Sequence, residues 1–223
     1  MAHRVRRGIP DKNVVFWFTP DSLEPRHPQF PEVNPGIYNF DAIAYESILL
    51  GQYSVWQGPE NGVCAKLGIQ KRNEILLGYS RDGFHFSRPT HKPFLANNPV
   101  EGAWNWGNMQ SVGGVPLIVG DSLYFYCSGR QRNKIMWDSY TSTGLARLRR
   151  DGFVSMRGGR QGGELVTEPI VFDGKYLFVN ADVKQKGGRL AVEVLDKDGR
   201  VLPGFSRKEC VAMKGKDSTK QQI

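Results

Sequence analysis

Short apolar runs recur along the chain, each bounded by Gly, Asp, Asn or Pro. Runs of this length that are rich in Val, Ile, Leu, Phe and Tyr are typical of β-strands. No window of a dozen residues shows the i, i+3, i+4, i+7 apolar spacing of an amphipathic helix as cleanly. The pattern therefore predicts a nearly all-β protein. The predicted strands are NVVFWF, ESILLGQYSVW, NEILLGYS, FHFSRP, PLIVG, SLYFYCSG, TGLARLRR, FVSM, PIVF, KYLFVNADV, RLAVEVLD and RVLPGF.

Asp-Gly pairs separate several of these runs and predict how the strands connect. Because Asp and Gly tolerate the positive φ of a tight turn, each pair predicts an antiparallel hairpin. A further turn in VGDSLYF is predicted to have Asp121 and Ser122 at its tip. Hairpins at this spacing are typical of a sandwich, a barrel or propeller blades, among which strands alone do not choose. The Asp-Gly turns are SRDGF (80–84), RRDGF (149–153), FDGKY (172–176) and DKDGR (196–200).

The composition changes near MRGGRQGGE, residues 156–164, and this change predicts a domain boundary. Four glycines and two arginines with little to bury make a poor strand and a plausible linker. All five Trp residues lie at or before position 137, and alternating strands such as RLAVEVLD follow the linker. The prediction is a first domain over residues 1–160 and a partial C-terminal β-sandwich over residues 161–223.

Charge and cysteine usage exclude several classes of function. The chain has 223 residues and a net charge of +8, but its Lys and Arg residues are scattered and no nucleic-acid-binding signature accompanies them. The three cysteines are far apart and no His stands at metal-ligand spacing, so neither a disulfide framework, a metal site nor a cofactor is predicted. No apolar run has the roughly 20 residues of a membrane span. No secretory signal is recognised, and the localisation is left open.

Five ordered motifs resemble a known group of proteins. YNFDAIAYESILLG, KRNEILLGYSRDGFHFSRP, WNWGNMQSVGG, LYFYCSGR and TGLARLRRDGF are similar to bacterial glycoside-hydrolase-like proteins related to glycoside hydrolase families 32 and 43. The resemblance covers most of residues 13–219. It implies a five-bladed β-propeller, of which about three blades are expected here, followed by a partial β-sandwich.

The resemblance also implies a catalytic role for Glu46. In propeller hydrolases of this kind, a Glu acid precedes an apolar strand of the third blade, and YESILLG matches that arrangement. Too few residues precede the TPDSLEP loop for two further blades, so the first-blade acid has no counterpart and a truncated propeller is expected. Its open strand edges would favour self-association.

The chemistry of glycoside hydrolysis also directs attention to the acidic residues of this stretch. Glycoside hydrolysis normally needs one carboxyl with a raised pKa and a second, ionised carboxyl. Glu46 lies beside Tyr45, whose apolar ring would disfavour ionisation of a nearby acid, and Asp41 is the second acid in the stretch. On a strand, Asp41 and Glu46 would point to opposite faces. Asp41 is alternatively a turn or strand-entry residue that bonds local backbone amides.

The stretch EGAWNWGNMQSVGG predicts a carbohydrate-binding surface. Trp residues and amides match the apolar faces and hydroxyls of sugars. Arg130, which ends YCSGR, is placed to reach a carboxylate or a sugar hydroxyl, or to form a surface salt bridge. The alternative is core tryptophans whose neighbouring amides bond the backbone. The substrate-binding candidates are Tyr45, Trp104, Asn105, Trp106, Asn108, Gln110 and Arg130.

Three functions remain open from the sequence. The first is a glycoside hydrolase that acts on an oligosaccharide or polysaccharide by carboxylate general acid and base catalysis. The second is a carbohydrate-binding propeller module without chemistry, for which the Trp and amide cluster suffices. The third is a basic scaffold that binds an acidic polymer, which the net charge permits.

Overall fold

The computed structural model of the chain describes residues 15–131 and 140–223. In this part of the chain the regular structure is antiparallel β-sheet and one short helix, which confirms the all-β prediction. None of the described helical residues forms a segment long and apolar enough to cross a membrane. The basic HRVRR cluster and the start of the predicted strand NVVFWF lie outside the described residues.

The elements follow in this order along the chain. The strands are β1 Gly36–Tyr45, β2 Ile48–Gly58, β3 Arg72–Ser80, β4 Asn108–Val112, β5 Leu117–Val119, β6 Ser122–Arg130, β7 Thr141–Arg149, β8 Phe178–Asp182, β9 Arg189–Leu190, β10 Met213–Lys214 and β11 Asp217–Gln222, and the helix α1 is Asn61–Leu67.

The first sheet has the order β1-β2-β3, and one of its faces carries an aromatic core. Phe40, Tyr53 and Leu76 stand opposite one another in the register of the three strands. Tyr53 and Leu76 are fully buried, and Phe18 packs on the same cluster. Burial of each such side chain stabilises the fold by about 1.5–3 kcal/mol. This face therefore anchors the sheet.

On the opposite face of the same sheet, β1 and β2 carry a row of polar side chains. Asp41 on β1 stands opposite Gln52 on β2, and Asn39 stands opposite Ser54. Gln52 and Ser54 are buried although both side chains are polar. Because side chains alternate along a strand, these residues share the face that does not carry the aromatic core.

The blades of a β-propeller, which the resemblance implies, have four strands, but the first sheet has three. At its β3 edge, where a fourth strand would pair, the described chain makes only isolated bridges, from Ser87 to Tyr79 and from Leu95 to Ile75. Pro89 and Pro93 lie between these bridges and have no backbone N–H to donate. The predicted strand FHFSRP is thereby reduced to a single bridge.

The second sheet has four strands. β4 pairs with the end of β6 that contains Arg130, β5 pairs with the start of β6, and β7 also pairs with β6. The predicted hairpin in VGDSLYF is confirmed, but Ser122 already belongs to β6, so the tip is Gly120 and Asp121. Gly120 has a φ of 57°, which favours glycine at that position.

Contacts within the chain define two compact units. One comprises Met1–Pro116 and Phe125–Ala146, and the other Leu117–Tyr124 and Arg147–Ile223. The second unit contains the two-stranded sheets β8 with β11 and β9 with β10. The division at residue 160 and the assignment of a propeller and a sandwich stay predictions.

Some predicted strands of the second unit do not form, and a helix that was not predicted does. FVSM and PIVF contain no strand, and Val171 is fully exposed, because an apolar run becomes a strand only where a partner strand is available. α1 has seven residues, too few for a periodic apolar stripe, and Gly68 ends it with a φ of 62°. Cys64 on this helix and Cys127 on β6 are buried free thiols.

Candidate functional site

A β-bulge in β1 turns Tyr38 out of the strand ladder. The register passes from Ile37 opposite Val55 to Asn39 opposite Ser54, which leaves Tyr38 without a partner on β2. Bulges bend a strand and re-aim a side chain, and they are frequent beside active sites. The Tyr38 side chain is 43% exposed. Lys71 donates a 2.9 Å hydrogen bond to the Tyr38 hydroxyl, and its Nζ lies 4.1 Å from the centroid of the Tyr38 ring.

A second bulge, in β4, carries Gln110. The register there passes from Met109 opposite Gly129 to Ser111 opposite Ser128, so Gln110 also lacks a partner strand residue. The Gln110 side chain lies close enough to the Tyr38 hydroxyl to contribute to the lowering of the Tyr38 pKa. Two bulged side chains from different sheets therefore meet at one point on the molecule.

Asn108 and Arg130 complete this group. They stand opposite each other on β4 and β6, and the Asn108 amide nitrogen donates a 3.4 Å hydrogen bond to the carbonyl of Lys71. The neighbouring Gly107 permits the close approach, because a Cβ there would lie 2.8 Å from the Cβ of Gln70. We call the group of Tyr38, Lys71, Asn108, Gln110 and Arg130 the bulge site.

The bulge site is electrostatically positive. The pKa of Tyr38 is lowered, first by the hydrogen bond from Lys71, then by the hydrogen bond from Gln110, and further by the charges of Lys71 and Arg130, while burial opposes the shift. Among residues 15–131 and 140–223, no carboxylate oxygen lies within 4.0 Å of the charged nitrogens of Lys71 or Arg130. Within the described part of the chain, the positive charges of the site thus have no ion-pair partner.

Several buried polar atoms of the bulge site have no partner among the described residues. They are Asn108 Oδ1, Gln110 Oε1 and Arg130 Nε. Buried polar groups in native proteins are nearly always hydrogen-bonded, and an unpaired one costs about 1–3 kcal/mol. Two acceptors and one donor of the bulge site are therefore left for a partner beyond the described residues.

The polar face of the first sheet continues this pattern. Asn39 donates a 3.2 Å hydrogen bond to Asp41, which is half-buried in the middle of β1. Both amide atoms of Gln52 and the hydroxyl of Ser54 are buried without partners in the described chain. Asp41 is thus a strand residue within a polar row, rather than the turn residue that was one interpretation of the sequence.

The structure places Glu46 and Tyr45 away from the bulge site. Tyr45 is the last residue of β1, and Glu46 is the exposed first residue of the two-residue turn to β2, with a φ of 50°. This turn lies at the Ser80 end of β3, whereas Lys71 precedes the Arg72 end. At about 3.3 Å per residue, the two ends are about 25 Å apart. Glu46 therefore does not meet the amides of WNWGNMQ at this site.

The residues of EGAWNWGNMQSVGG have two roles in the structure. Trp104 packs against the fold, whereas Asn108 and Gln110 belong to the bulge site. The Trp104 ring covers Gly129 and Gly144 so closely that neither glycine has room for a Cβ. Asn105 donates a 3.3 Å hydrogen bond to the Ala96 carbonyl, and Trp106 is half-buried. Of the predicted substrate-binding residues, Asn108, Gln110 and Arg130 are brought together, and Trp104 packs on the backbone of its own sheet neighbours.

Sequence reasoning missed Tyr38 and Lys71. They are 33 positions apart, and a bulge depends on the register of the partner strand rather than on local composition. The aromatic and basic residue types in YNF and QKRNE were the available signals, but neither stretch indicates that the two side chains meet.

A buried ion-pair cluster on the aromatic face was also missed. Arg88 donates a 2.7 Å hydrogen bond to Glu24 and lies 4.3 Å from the centroid of Phe18. Burial raises the pKa of Glu24 despite the hydrogen bond and charge of Arg88. Asp21, Glu24 and His91 place possible ligand atoms within 4.8 Å of one another. Arg88 Nε lies 3.6 Å from Asp21 as well, so a fixed cation already balances these acids.

The second unit contains an open polar cavity of about 390 Å³. Its charged side chains satisfy one another: Arg149 pairs with Asp217, Asp217 with Lys184 at 3.0 Å, and Asp121 accepts a hydrogen bond from Thr219. Hydrogen bonds from Lys184 and then Arg149 lower the pKa of Asp217. The cavity thus has the character of a structural ion-pair network.

The comparisons with known proteins give no family. No protein-family model and no curated protein matches the chain. Solved structures share a low similarity with it. A glycosyl hydrolase from Bacteroides ovatus is 14% identical with a TM-score of 0.40 over 64% of this chain and 41% of its own. A glycoside hydrolase is 14% identical with a TM-score of 0.38 over 74% of this chain and 45% of its own. The chain thus spans less than half the length of these structural neighbours.

Proposed function

We propose that the chain recognises a carbohydrate at the bulge site. One observation carries the proposal: buried amide and guanidinium atoms without partners stand beside an exposed tyrosine ring. Sugar hydroxyls both donate and accept hydrogen bonds, and sugar rings have apolar faces that pack on aromatic rings. The donors, acceptors and ring of the site match this combination in kind.

The proposal uses part of the predicted binding surface. Asn108, Gln110 and Arg130 keep their predicted role, and Tyr38 replaces the tryptophans as the stacking ring. The membership of the glycoside-hydrolase-like propeller group, with the two sheets as blades, is part of the same proposal and is supported by the five sequence motifs.

A glycan array followed by calorimetry tests the proposal. We expect a subset of oligosaccharides to bind, and we expect Gln110→Ala to weaken that binding about three- to tenfold, as the loss of one or two hydrogen bonds predicts. Gln29→Ala, which removes an exposed glutamine elsewhere in the first unit, is the matched control. Binding that Gln110→Ala leaves unchanged would place the carbohydrate at another surface.

A second candidate, glycoside hydrolysis with Glu46 as the general acid, is favoured by the backbone of the turn. A non-glycine residue in the left-handed region costs about 1–2 kcal/mol, and such conformations are concentrated at functional sites. Asp41, the other proposed catalytic acid, lies within the strand that this turn ends.

Hydrolysis of natural glycosides and of activated aryl glycosides by Glu46→Gln tests the second candidate. Loss of general acid catalysis lowers the rate on natural glycosides about 10²- to 10⁴-fold. Aryl glycosides need little protonation and should lose much less. Full activity of Glu46→Gln on a natural substrate would remove Glu46 from the mechanism.

A further inference from the structure

The bulge site combines a sugar-binding type of surface with two cations that have no carboxylate partner among residues 15–131 and 140–223. Lys71 is held beside Tyr38 by a 2.9 Å hydrogen bond, and its Nζ also lies over the ring. The charge of Arg130 helps to lower the pKa of Tyr38. Arg130 Nε is buried and has no hydrogen-bond partner among the described residues. The two cations are therefore positioned by the fold rather than free on the surface.

Other charged groups of the chain show that this arrangement is not general. Arg88 is paired with Glu24 at 2.7 Å, and Arg72 is paired with Glu74 at 2.8 Å. Arg72 directly follows Lys71, so paired and unpaired cations stand side by side in the sequence. Arg72 has a carboxylate partner in Glu74, whereas Lys71 and Arg130 have none among the described residues. The lack of a carboxylate is therefore a local property of the bulge site.

We propose that the bulge site binds an acidic saccharide, with a uronate carboxylate held between Lys71 and Arg130. A carboxylate accepts hydrogen bonds from a guanidinium in a fixed geometry, and such charge-assisted bonds are about twice as strong as neutral ones. Asn108 Oδ1 and Gln110 Oε1 then accept hydrogen bonds from ring hydroxyls. This inference rests on the proposed carbohydrate function and names its ligand class.

The arrangement distinguishes a uronate from a simple anion. Phosphate or sulfate would use Lys71 and Arg130 but would leave both amide oxygens facing an acceptor. A uronate supplies the anion and the hydroxyl donors in one molecule, so every unpaired atom of the bulge site gains a partner of the right kind.

The test compares an oligogalacturonate with its methyl-esterified form by calorimetry in 0.15 M salt. Esterification keeps the rings and hydroxyls and removes the charge. We expect it to weaken binding about 10- to 100-fold, the range for a hydrogen bond to a charged group. In Arg130→Gln, checked for folding by circular dichroism, the preference for the acidic form should fall. Lys71→Met, just before β3, should lower the preference as well, and the double variant should bind the two forms with similar affinity.

Arg81→Gln is the matched control. It removes the same charge from an exposed arginine at the opposite end of β3, so a general attraction of the basic chain to polyanions would fall equally in both variants. Such an equal fall, or equal binding of the acidic and esterified forms by the unaltered chain, would overturn the inference. Neutral oligosaccharides that bind as well as acidic ones would leave the proposed function standing. If no saccharide binds, both fail.

Discussion

Two polar clusters of the first unit differ in how far their hydrogen bonds are satisfied: the Glu24 cluster on the aromatic face of the first sheet, and the bulge site, whose unpaired residues lie on the second sheet. On the aromatic face, Arg88 and Tyr53 surround Glu24, and only the second carboxylate oxygen of Glu24 lacks a partner. At the bulge site, polar atoms of three residues are unpaired. A buried polar group that is satisfied internally stabilises the fold, whereas one that is not satisfied identifies a place where a ligand can complete it.

The largest effect is expected from breaking the satisfied cluster. Arg88→Met leaves the Glu24 carboxylate buried without its cation, which should lower the free energy of unfolding by about 3–5 kcal/mol. Urea denaturation measures this change, and Arg81→Met, at an exposed arginine, is the control. The affinity of the folded fraction for a glycan should not change. A loss below about 1 kcal/mol would mean that Glu24 is solvated rather than buried.

The same cluster predicts a pH dependence of stability. An unfolded glutamate ionises near its ordinary pKa of about 4.3, and the pKa of Glu24 is raised in the fold. Between these two values the folded chain retains a proton that the unfolded chain has lost. The contribution of Glu24 to stability is therefore present below about pH 4.3 and is lost as the pH rises through the folded pKa.

Urea denaturation across this pH range measures that contribution. In Glu24→Gln, the side chain at position 24 does not titrate. The decline in stability with rising pH that Glu24 causes should therefore be absent from this variant. Subtracting its profile from that of the unaltered chain isolates the carboxyl, since all other groups titrate in both. Parallel profiles for the two proteins would contradict the raised pKa.

The unsatisfied site should respond in the opposite way, with a loss of binding and little loss of stability. Tyr38→Ala removes the exposed ring and should weaken glycan binding about tenfold, which corresponds to about 1.4 kcal/mol. Tyr38→Phe keeps the ring and should lose less. Tyr126→Ala, a 52% exposed tyrosine on β6, is the matched control for calorimetry. A Tyr38→Ala variant that unfolds at much lower urea would assign the ring to the core.

The smallest effect concerns the turn at Glu46. Replacement of Glu46 by Gly relieves the positive φ but adds freedom to the unfolded chain, so stability should rise by about 0.5–1 kcal/mol at most. Thermal unfolding measures the change. A decrease would show that the Glu46 side chain makes stabilising contacts and that its backbone is not strained for function.

The sequence predicted the strands better than the pairing of the strands and the contacts between distant residues. Continuous runs such as SLYFYCSG carry their own apolar signal, so β6 was expected. β1 was not among the expected strands, because Asn39 and Asp41 interrupt the apolar run of YNFDAIAY. Its polar residues face the other side of the sheet from Phe40, which only the pairing with β2 reveals.

The candidate site was predicted in part for the same reason. Asn108 and Gln110 stand close together in a motif whose composition favours sugar binding, so the sequence predicted both as candidates, and their role stays a prediction. Tyr38 and Lys71 reach the site through a bulge and through packing between sheets, which leave no local signal. Trp104 follows the packing alternative in the structure, because a flat ring suits a glycine-lined backbone as well as a sugar, and its predicted role in binding stays untested.

The most direct test of the account follows the side-chain amides by nuclear magnetic resonance. On titration with an oligosaccharide selected by the array, the amide groups of Asn108 and Gln110 should shift in a saturable way and with the same affinity. The Gln57 amide, which donates a 2.8 Å hydrogen bond to Glu74 in a satisfied buried pair, should not shift. Saturable shifts confined to the Trp104 indole or to residues of the Asp121–Thr219 cavity, with Asn108 and Gln110 unmoved, would contradict carbohydrate binding at the bulge site.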